Sequence, residues 1–108
     1  MPDTDLAFKP ATEIRSMIAE REISSVEITQ LYLDRIDSLD SQLNSYLTVT
    51  ADLALETASA ADEAVARGDK LGGLHGVPIS IKDLEMTEGI RTTSGSLVYK
   101  DRIGAYDS

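Results

Sequence analysis

Residues 71–83 read LGGLHGVPISIKD, and this segment decides the fold. A glycine-rich loop leads into an apolar run that ends at Lys82. Short apolar runs rich in β-branched residues are typical of buried strands, and Pro78 favours an edge strand or the first position of a strand. We therefore predict a buried strand over residues 77–82 that ends at Lys82.

Lys82 is the main candidate for chemistry. Lysine has an ordinary pKa of about 10.4, and lowering it to about 7.5, where the neutral amine can act as a base, takes about 4 kcal/mol. Neighbours along a strand point to opposite faces, so Lys82 shares a face with Ser80 while Asp83 points away. The pattern alone leaves three interpretations open. The amine reaches solvent at the strand end, it is a buried base, or it deprotonates Ser80 directly as a Ser/Lys pair.

Two amphipathic helices are predicted near the start of the chain. In the first, apolar residues recur every three or four positions, and Thr12 is placed to cap it. The second begins at Ser24, where Glu27 completes a capping box, and ends near Leu39. We interpret the two as a packed hairpin without chemistry of its own.

A strand and a third helix are predicted next. Residues 46–50 have the β-branched and aromatic composition of a strand. Thr50 or Asp52 caps an alanine-rich helix that runs to about Arg67, and Gly68 stands where a C-terminal glycine cap belongs. The order helix, helix, strand, helix, strand indicates an α/β protein. We assign residues 1–10 to a polar N-terminal arm and residues 11–108 to one partial domain.

Composition narrows the classes of function. The chain has 108 residues, 42% of them hydrophobic, which is enough for one domain with a core. Its formal net charge of −9 argues against direct binding of nucleic acid or an anionic membrane surface. The absence of cysteine excludes disulfides, a thiolate nucleophile and a cysteine metal site. Since no signal peptide or membrane-spanning run is recognisable either, we expect a cytoplasmic protein.

Other polar residues give weaker signals. Residues 92–96, TTSGS, could cradle an anion or line a pocket, or form a turn that satisfies its own backbone. His75 is the only histidine, and we expect it to be structural. Asp83, Glu85 and Glu88 are close in sequence, but an irregular loop gives no reason for their side chains to converge.

Taken together, these segments resemble the amidase signature family of hydrolases. The resemblance rests on residues 71–83, on GIRTTSGS at 89–96 and on Asp-Ser at 107–108, and it extends over residues 11–108. It implies the N-terminal part of the amidase signature fold, an α/β architecture in which N-terminal helices precede the first strands of a mixed sheet.

The resemblance also implies a Ser–cis-Ser–Lys triad, with Lys82 as its base and as the catalytic residue of this chain. In the family the lysine acts through a bridging serine on a nucleophilic serine, which attacks an amide carbonyl, and backbone amides form the oxyanion hole. No metal or organic cofactor is implied. The implied substrate is a small-molecule amide, and a homodimer of the full-length protein is one assembly that the resemblance allows.

The family's two catalytic serines lie in a Gly-Gly-Ser-Ser-Gly region that this sequence lacks. Ser94 and Ser96 belong to a separate element of the family and do not replace them. We therefore interpret the chain as the N-terminal piece of a longer amidase and expect the 108-residue chain alone to be inactive. Two alternatives stay open: a piece of the glutaminase (A) component of a glutamyl/aspartyl-tRNA amidotransferase, or a non-catalytic helical interaction module.

Overall fold

A computed structural model describes residues 4–108 as a mainly helical chain. The elements are α1 (Thr4–Ala7), α2 (Ala11–Ala19), α3 (Ser25–Leu43), α4 (Ala51–Arg67) and a 3₁₀ turn at Leu97–Tyr99. The residues form two compact units, one reaching to Pro78 and the other spanning Ile79–Ser108. Among the described residues, no helix combines the length and the apolar character needed to cross a membrane.

The core of the first unit is aliphatic. Its buried side chains are Leu6, Ile14, Ile18, Ile23 and Ile28, and partly buried Met17, Leu31, Tyr32, Val65 and Val77 pack around them. The main helix pair is α3 with α4, whereas the sequence predicts that the first two amphipathic helices pair. The spacing of apolar residues therefore identifies the buried faces but not which helix each face meets.

The segment predicted to be a polar arm contributes to this core where it is described. Leu6 of α1 is buried, and the Tyr32 hydroxyl of α3 donates a hydrogen bond of 2.9 Å to the Ala7 carbonyl oxygen. The rest of that prediction, residues 1–3, lies outside the described residues.

The predicted helix ends are correct in part. Ser24 caps α3 by accepting a hydrogen bond from the Glu27 amide at 2.9 Å, as the capping box predicts. The C-cap of α4 is Gly68, with a φ of +76° that glycine adopts without strain. The cap predicted at Thr12 is wrong, because α2 already begins at Ala11, and its N-cap residue, Pro10, has an extended backbone and makes no side-chain cap hydrogen bond.

The end of α3 and the connection that follows differ from prediction. The helix continues one turn past Leu39 and stops at Asn44, which adopts the left-handed conformation with a φ of +53°. Residues 46–50, predicted as a strand, form an exposed connection to α4 instead.

The second predicted strand, residues 77–82, also lacks a partner among residues 4–108. Within residues 4–108, the only β-type backbone pairings are two isolated bridges, Glu88 with Gly104 and Arg91 with Ile103. A strand exists as such only where a neighbour satisfies its backbone groups, and composition alone does not supply that neighbour.

Shortening Ile28 to alanine should destabilise the first unit strongly. Ile28 is fully buried, so the change leaves a cavity in the centre of the core. We expect the free energy of unfolding to fall by about 2–5 kcal/mol, measured by urea denaturation. The matched control is Leu43→Ala at the exposed end of the same helix, where the side chain is 66% exposed and the loss should stay below about 1 kcal/mol. Equal losses in the two variants would contradict this description of the core.

Candidate functional site

The glycine-rich loop at the start of residues 71–83 is bonded to the helices of the first unit. The Arg15 guanidinium donates to the Gly72 carbonyl at 3.2 Å and to the Leu71 carbonyl at 3.4 Å. His75 donates from Nε2 to the Ala61 carbonyl of α4 at 2.9 Å. The histidine therefore makes a structural contact with a helix, as the sequence predicts.

The loop closes at Gly76, where any other residue would be strained. Its φ is +76°, and a Cβ added there would lie 3.2 Å from two atoms of Ile18 and 3.3 Å from the Cβ of Ser25. The Ser25 hydroxyl donates to the Gly76 carbonyl at 2.6 Å. Asp62 of α4 in turn accepts the amides of Ser25 at 2.6 Å and Val26 at 3.1 Å, which satisfies free donors at the start of α3.

Lys82 lies in the second unit and is exposed, as is Ser80. Within the described residues, the amine of Lys82 forms no ion pair, including with the neighbouring Asp83. The burial expected for a strand-end lysine is thus not present in this chain. The opposite strand faces predicted for Lys82 and Asp83 are not formed either, because residues 77–82 have no strand partner among residues 4–108.

Asp83 is bonded instead to the hydroxyl-rich loop at residues 92–96. Its Oδ1 accepts the Thr93 amide at 2.8 Å, and its Oδ2 accepts the Thr93 hydroxyl in a short hydrogen bond and the Gly95 amide at 3.3 Å. Its carbonyl oxygen accepts the Ser94 amide at 3.0 Å. The loop does cradle an anion, and that anion is a carboxylate of the same chain.

The same loop also satisfies part of its own backbone, which was the second interpretation of its sequence. The Thr93 hydroxyl accepts the Gly95 amide at 3.2 Å, and the Thr93 carbonyl accepts the Ser96 amide at 3.0 Å. Thr92 and Thr93 are the buried side chains of this region, at 2% and 4% exposure. Polar hydrogen bonds, rather than an aliphatic core, therefore organise the second unit.

Arg102 holds the loop from its other side. It donates to the Thr92 carbonyl at 2.8 Å and to the Ser94 hydroxyl at 2.9 Å, and its guanidinium lies 4.3 Å from the centre of the Tyr99 ring. A guanidinium over an aromatic face is attracted to it, so this side chain is well fixed. The loop is thus bonded by a carboxylate on one side and a guanidinium on the other.

The last two residues of the sequence pair with the segment after Asp83. Asp107 accepts the Glu88 amide at 2.8 Å. Ser108 exchanges two hydrogen bonds with Met86, one to its hydroxyl at 2.8 Å and one from its amide at 2.9 Å. These two residues, which are part of the family resemblance, therefore fix a turn within the second unit.

Of the candidate residues, the structure brings together Asp83 and residues 92–96, whereas it does not join Lys82 with Ser80 or Asp83 with Glu85 and Glu88. The bond from Thr93 to Asp83 is what the sequence analysis missed. A signal was present: an aspartate ten residues before a Thr-x-Gly turn offers the acceptor that the free amides of such a turn require.

The pKa of Asp83 lies below its usual value. The hydrogen bond from the Thr93 hydroxyl is the largest cause, followed by that from the Thr93 amide; the Gly95 amide and the charge of Arg91 add to the effect, and desolvation opposes it. These donors favour the ionised carboxylate. Because the folded pKa is lower than the unfolded value of about 3.9, the stabilisation is complete above that value and is lost as the pH falls through the folded pKa.

An NMR titration of the Thr93 amide proton tests this network. We expect its resonance to shift with a midpoint below pH ~3.9, because the amide is bonded to the carboxylate that titrates. Asp83→Asn should abolish the shift, whereas Glu85→Gln, which alters an exposed acid two residues away, should leave it unchanged. A midpoint at or above the ordinary aspartate value would contradict the assignment.

Comparison with known proteins places the chain in a family. Residues 27–108 match the Amidase family. The chain is 44% identical over 104 residues to the A component of the glutamyl-tRNA(Gln) amidotransferase of Moorella thermoacetica, covering 96% of this chain and 21% of that protein. It is 48% identical over 95 residues to the same component from Geobacter sulfurreducens, covering 88% of this chain and 19% of that protein.

A solved structure agrees. A bacterial aryl acylamidase of the amidase signature family superposes with a TM-score of 0.85 at 32% sequence identity, over 91% of this chain and 20% of that one. The chain belongs to the amidase family, and it spans about a fifth of the length of the curated relatives it matches. The predicted fold class, the N-terminal part of the amidase signature fold, is confirmed, although the two predicted strands are unpaired within residues 4–108.

Proposed function

We propose that the protein containing this chain hydrolyses carbon–nitrogen bonds of amides, with Lys82 as the general base. The strongest support is that the family match over residues 27–108 includes Lys82, the loop that precedes it and the loop to which Asp83 is bonded. A lysine base must be neutral when it accepts a proton, and burial away from water favours the neutral form of an amine. We therefore propose that segments outside these 108 residues cover Lys82 and supply the bridging and nucleophilic serines.

The reaction would then proceed in two halves. The neutral amine of Lys82 accepts a proton through the bridging serine as the second serine attacks the amide carbonyl. The same proton then returns through the bridging serine to the departing nitrogen, so that the C–N bond breaks to give an acyl-enzyme and a free amine or ammonia. Water then attacks the acyl group, the carboxylic acid leaves, and the serine regains its proton. The 108 residues alone supply the base but neither serine, so the isolated chain should be inactive.

A more specific candidate is glutamine hydrolysis. The A components of glutamyl-tRNA(Gln) amidotransferase match this chain at 44% and 48% identity, above the 32% of the aryl acylamidase. This difference supports glutamine as the amide and a partner protein that takes up the ammonia. The homodimer and the cytoplasmic location remain predictions from the sequence.

The test is to assay the full-length gene product for ammonia or amine release from a simple aliphatic amide, an aryl amide and glutamine. Turnover of any of the three that requires Lys82 supports amide hydrolysis. Glutamine turnover together with a co-purifying protein supports the amidotransferase candidate. If the full-length protein cleaves none of the three amides, yet is folded and binds another protein, the result would instead support a non-catalytic interaction module.

A further inference from the structure

We propose that Asp83 is a positioning residue for Lys82, held by Thr93 and Gly95 so that it fixes the lysine backbone without pairing with the amine. This inference rests on the proposed function, since it assigns a role to a neighbour of the proposed base. It concerns residues of the second unit alone.

The first step is the saturation of the Asp83 carboxylate. Three donors reach it: the Thr93 amide at 2.8 Å, the Thr93 hydroxyl in a short bond and the Gly95 amide at 3.3 Å. With the Ser94 amide on its carbonyl oxygen at 3.0 Å, Asp83 makes four bonds to one loop. Both the side chain and the backbone of Asp83 are therefore fixed.

The second step is the consequence for Lys82. Consecutive Cα atoms are about 3.8 Å apart across a trans peptide, so a fixed Asp83 also fixes the point from which the lysine side chain leaves the backbone. The Lys82 carbonyl is bonded as well, since it accepts the Glu85 amide at 2.9 Å. Only the flexible stem of the lysine is left to adjust to a substrate or a serine.

The third step concerns charge. A carboxylate in contact with an amine holds that amine in its charged form, which cannot act as a base. Asp83 is adjacent to Lys82 in sequence but forms no ion pair with it, and its oxygens are taken up by Thr93 and Gly95. The carboxylate of Asp83 thus stays next to the Lys82 backbone, while its oxygens are hydrogen-bonded to the loop rather than to the amine.

The loop itself is anchored, so it can serve as a support. Arg102 donates to the Thr92 carbonyl and the Ser94 hydroxyl at 2.8 and 2.9 Å and lies against the Tyr99 ring. A displacement of Asp83 would therefore break its hydrogen bonds to the loop, because the loop is held by Arg102 and cannot move with it. Misplacing a catalytic group by about 1 Å costs on the order of 10²-fold in rate, which sets the size of effect expected here.

The experiment compares Thr93→Val, Thr93→Ser and Asp83→Asn in the full-length gene product, with Glu85→Gln as the control. Valine matches threonine in shape but lacks the hydroxyl, and serine keeps the hydroxyl. We expect Thr93→Val and Asp83→Asn to lower kcat by about 10–100-fold with KM changed by less than about twofold. Thr93→Ser and Glu85→Gln should stay within about threefold of the wild-type kcat.

A thermal melt and Lys82→Ala in the same protein separate the possible failures. If Thr93→Val or a folded Asp83→Asn keeps the wild-type kcat and loses only thermal stability, the positioning role is overturned. The same holds if serine fails to rescue what valine removes. If Lys82→Ala retains full activity, the proposed function itself is wrong, whereas an inactive Lys82→Ala beside an active Asp83→Asn refutes this inference alone. Should Asp83→Asn fail to fold, the valine and serine pair decides.

Discussion

Lys82→Ala in the full-length gene product should reduce amide hydrolysis by about 10²–10⁴-fold, the usual contribution of a positioned general base. The effect should fall on kcat, because the amine is needed for proton transfer rather than for holding the substrate. The measurement is steady-state release of ammonia or amine from the best substrate of the three tested.

The matched control for that experiment is Lys70→Ala. Lys70 is an exposed lysine of the first unit, and removing it should leave kcat within about twofold of wild type. An equal loss in both variants, or wild-type activity in Lys82→Ala, would contradict the assignment of Lys82 as the base.

Gly104→Ala should strongly destabilise the second unit, because the added methyl group would overlap backbone atoms. A Cβ added there would lie 2.0 Å from the Thr87 carbonyl oxygen and 2.6 Å from its carbon, and both atoms belong to the backbone. The residue also bonds at 2.9 Å in two directions, donating to the Ile90 carbonyl and accepting the Gly89 amide. Relieving the overlap requires separating the two chain segments, which breaks both hydrogen bonds.

We expect Gly104→Ala to destabilise this unit by about 3 kcal/mol or more, at the upper end of what overpacking costs. Hydrogen exchange should show it as lost protection of the Gly89 and Gly104 amides. Gly73→Ala is the control, since a Cβ at Gly73 would meet nothing within 4 Å and exchange should not change. Unaltered protection in Gly104→Ala would mean that the two segments are not in contact in solution.

Local signals made the helices of this chain predictable. The cap at Ser24 lies three residues from its donor, and Gly68 follows directly on the last helical residue, so each depends on neighbours in sequence. Helical periodicity also identified Ile14, Ile18 and Ile28 of the core, because it marks one face of each helix, whereas Leu6 lay in the segment predicted to be a polar arm. Pro10 was the local signal that the sequence analysis overlooked when it placed the cap at Thr12.

Contacts between distant residues were not predictable in the same way. Whether residues 77–82 form a strand depends on a neighbouring strand, and no pattern within those six residues specifies one. The bond between Asp83 and Thr93 spans an irregular loop, and the tight approach of Gly104 to Thr87 depends on how residues 88–103 turn back. Such contacts become visible only once the backbone path is known.

The central claim is that the amine of Lys82 takes up a proton, and single-turnover kinetics of Lys82→Arg test it most directly. Arginine keeps the positive charge and much of the length of lysine, but its guanidinium does not deprotonate in proteins and so cannot serve as a base. With full-length enzyme in excess over the best substrate of the three amides, we predict that the arginine variant folds and binds the amide but releases no amine or ammonia in the first turnover. Amine release within about threefold of the wild-type rate would contradict a base at this position and leave Lys82 only the role of a fixed positive charge.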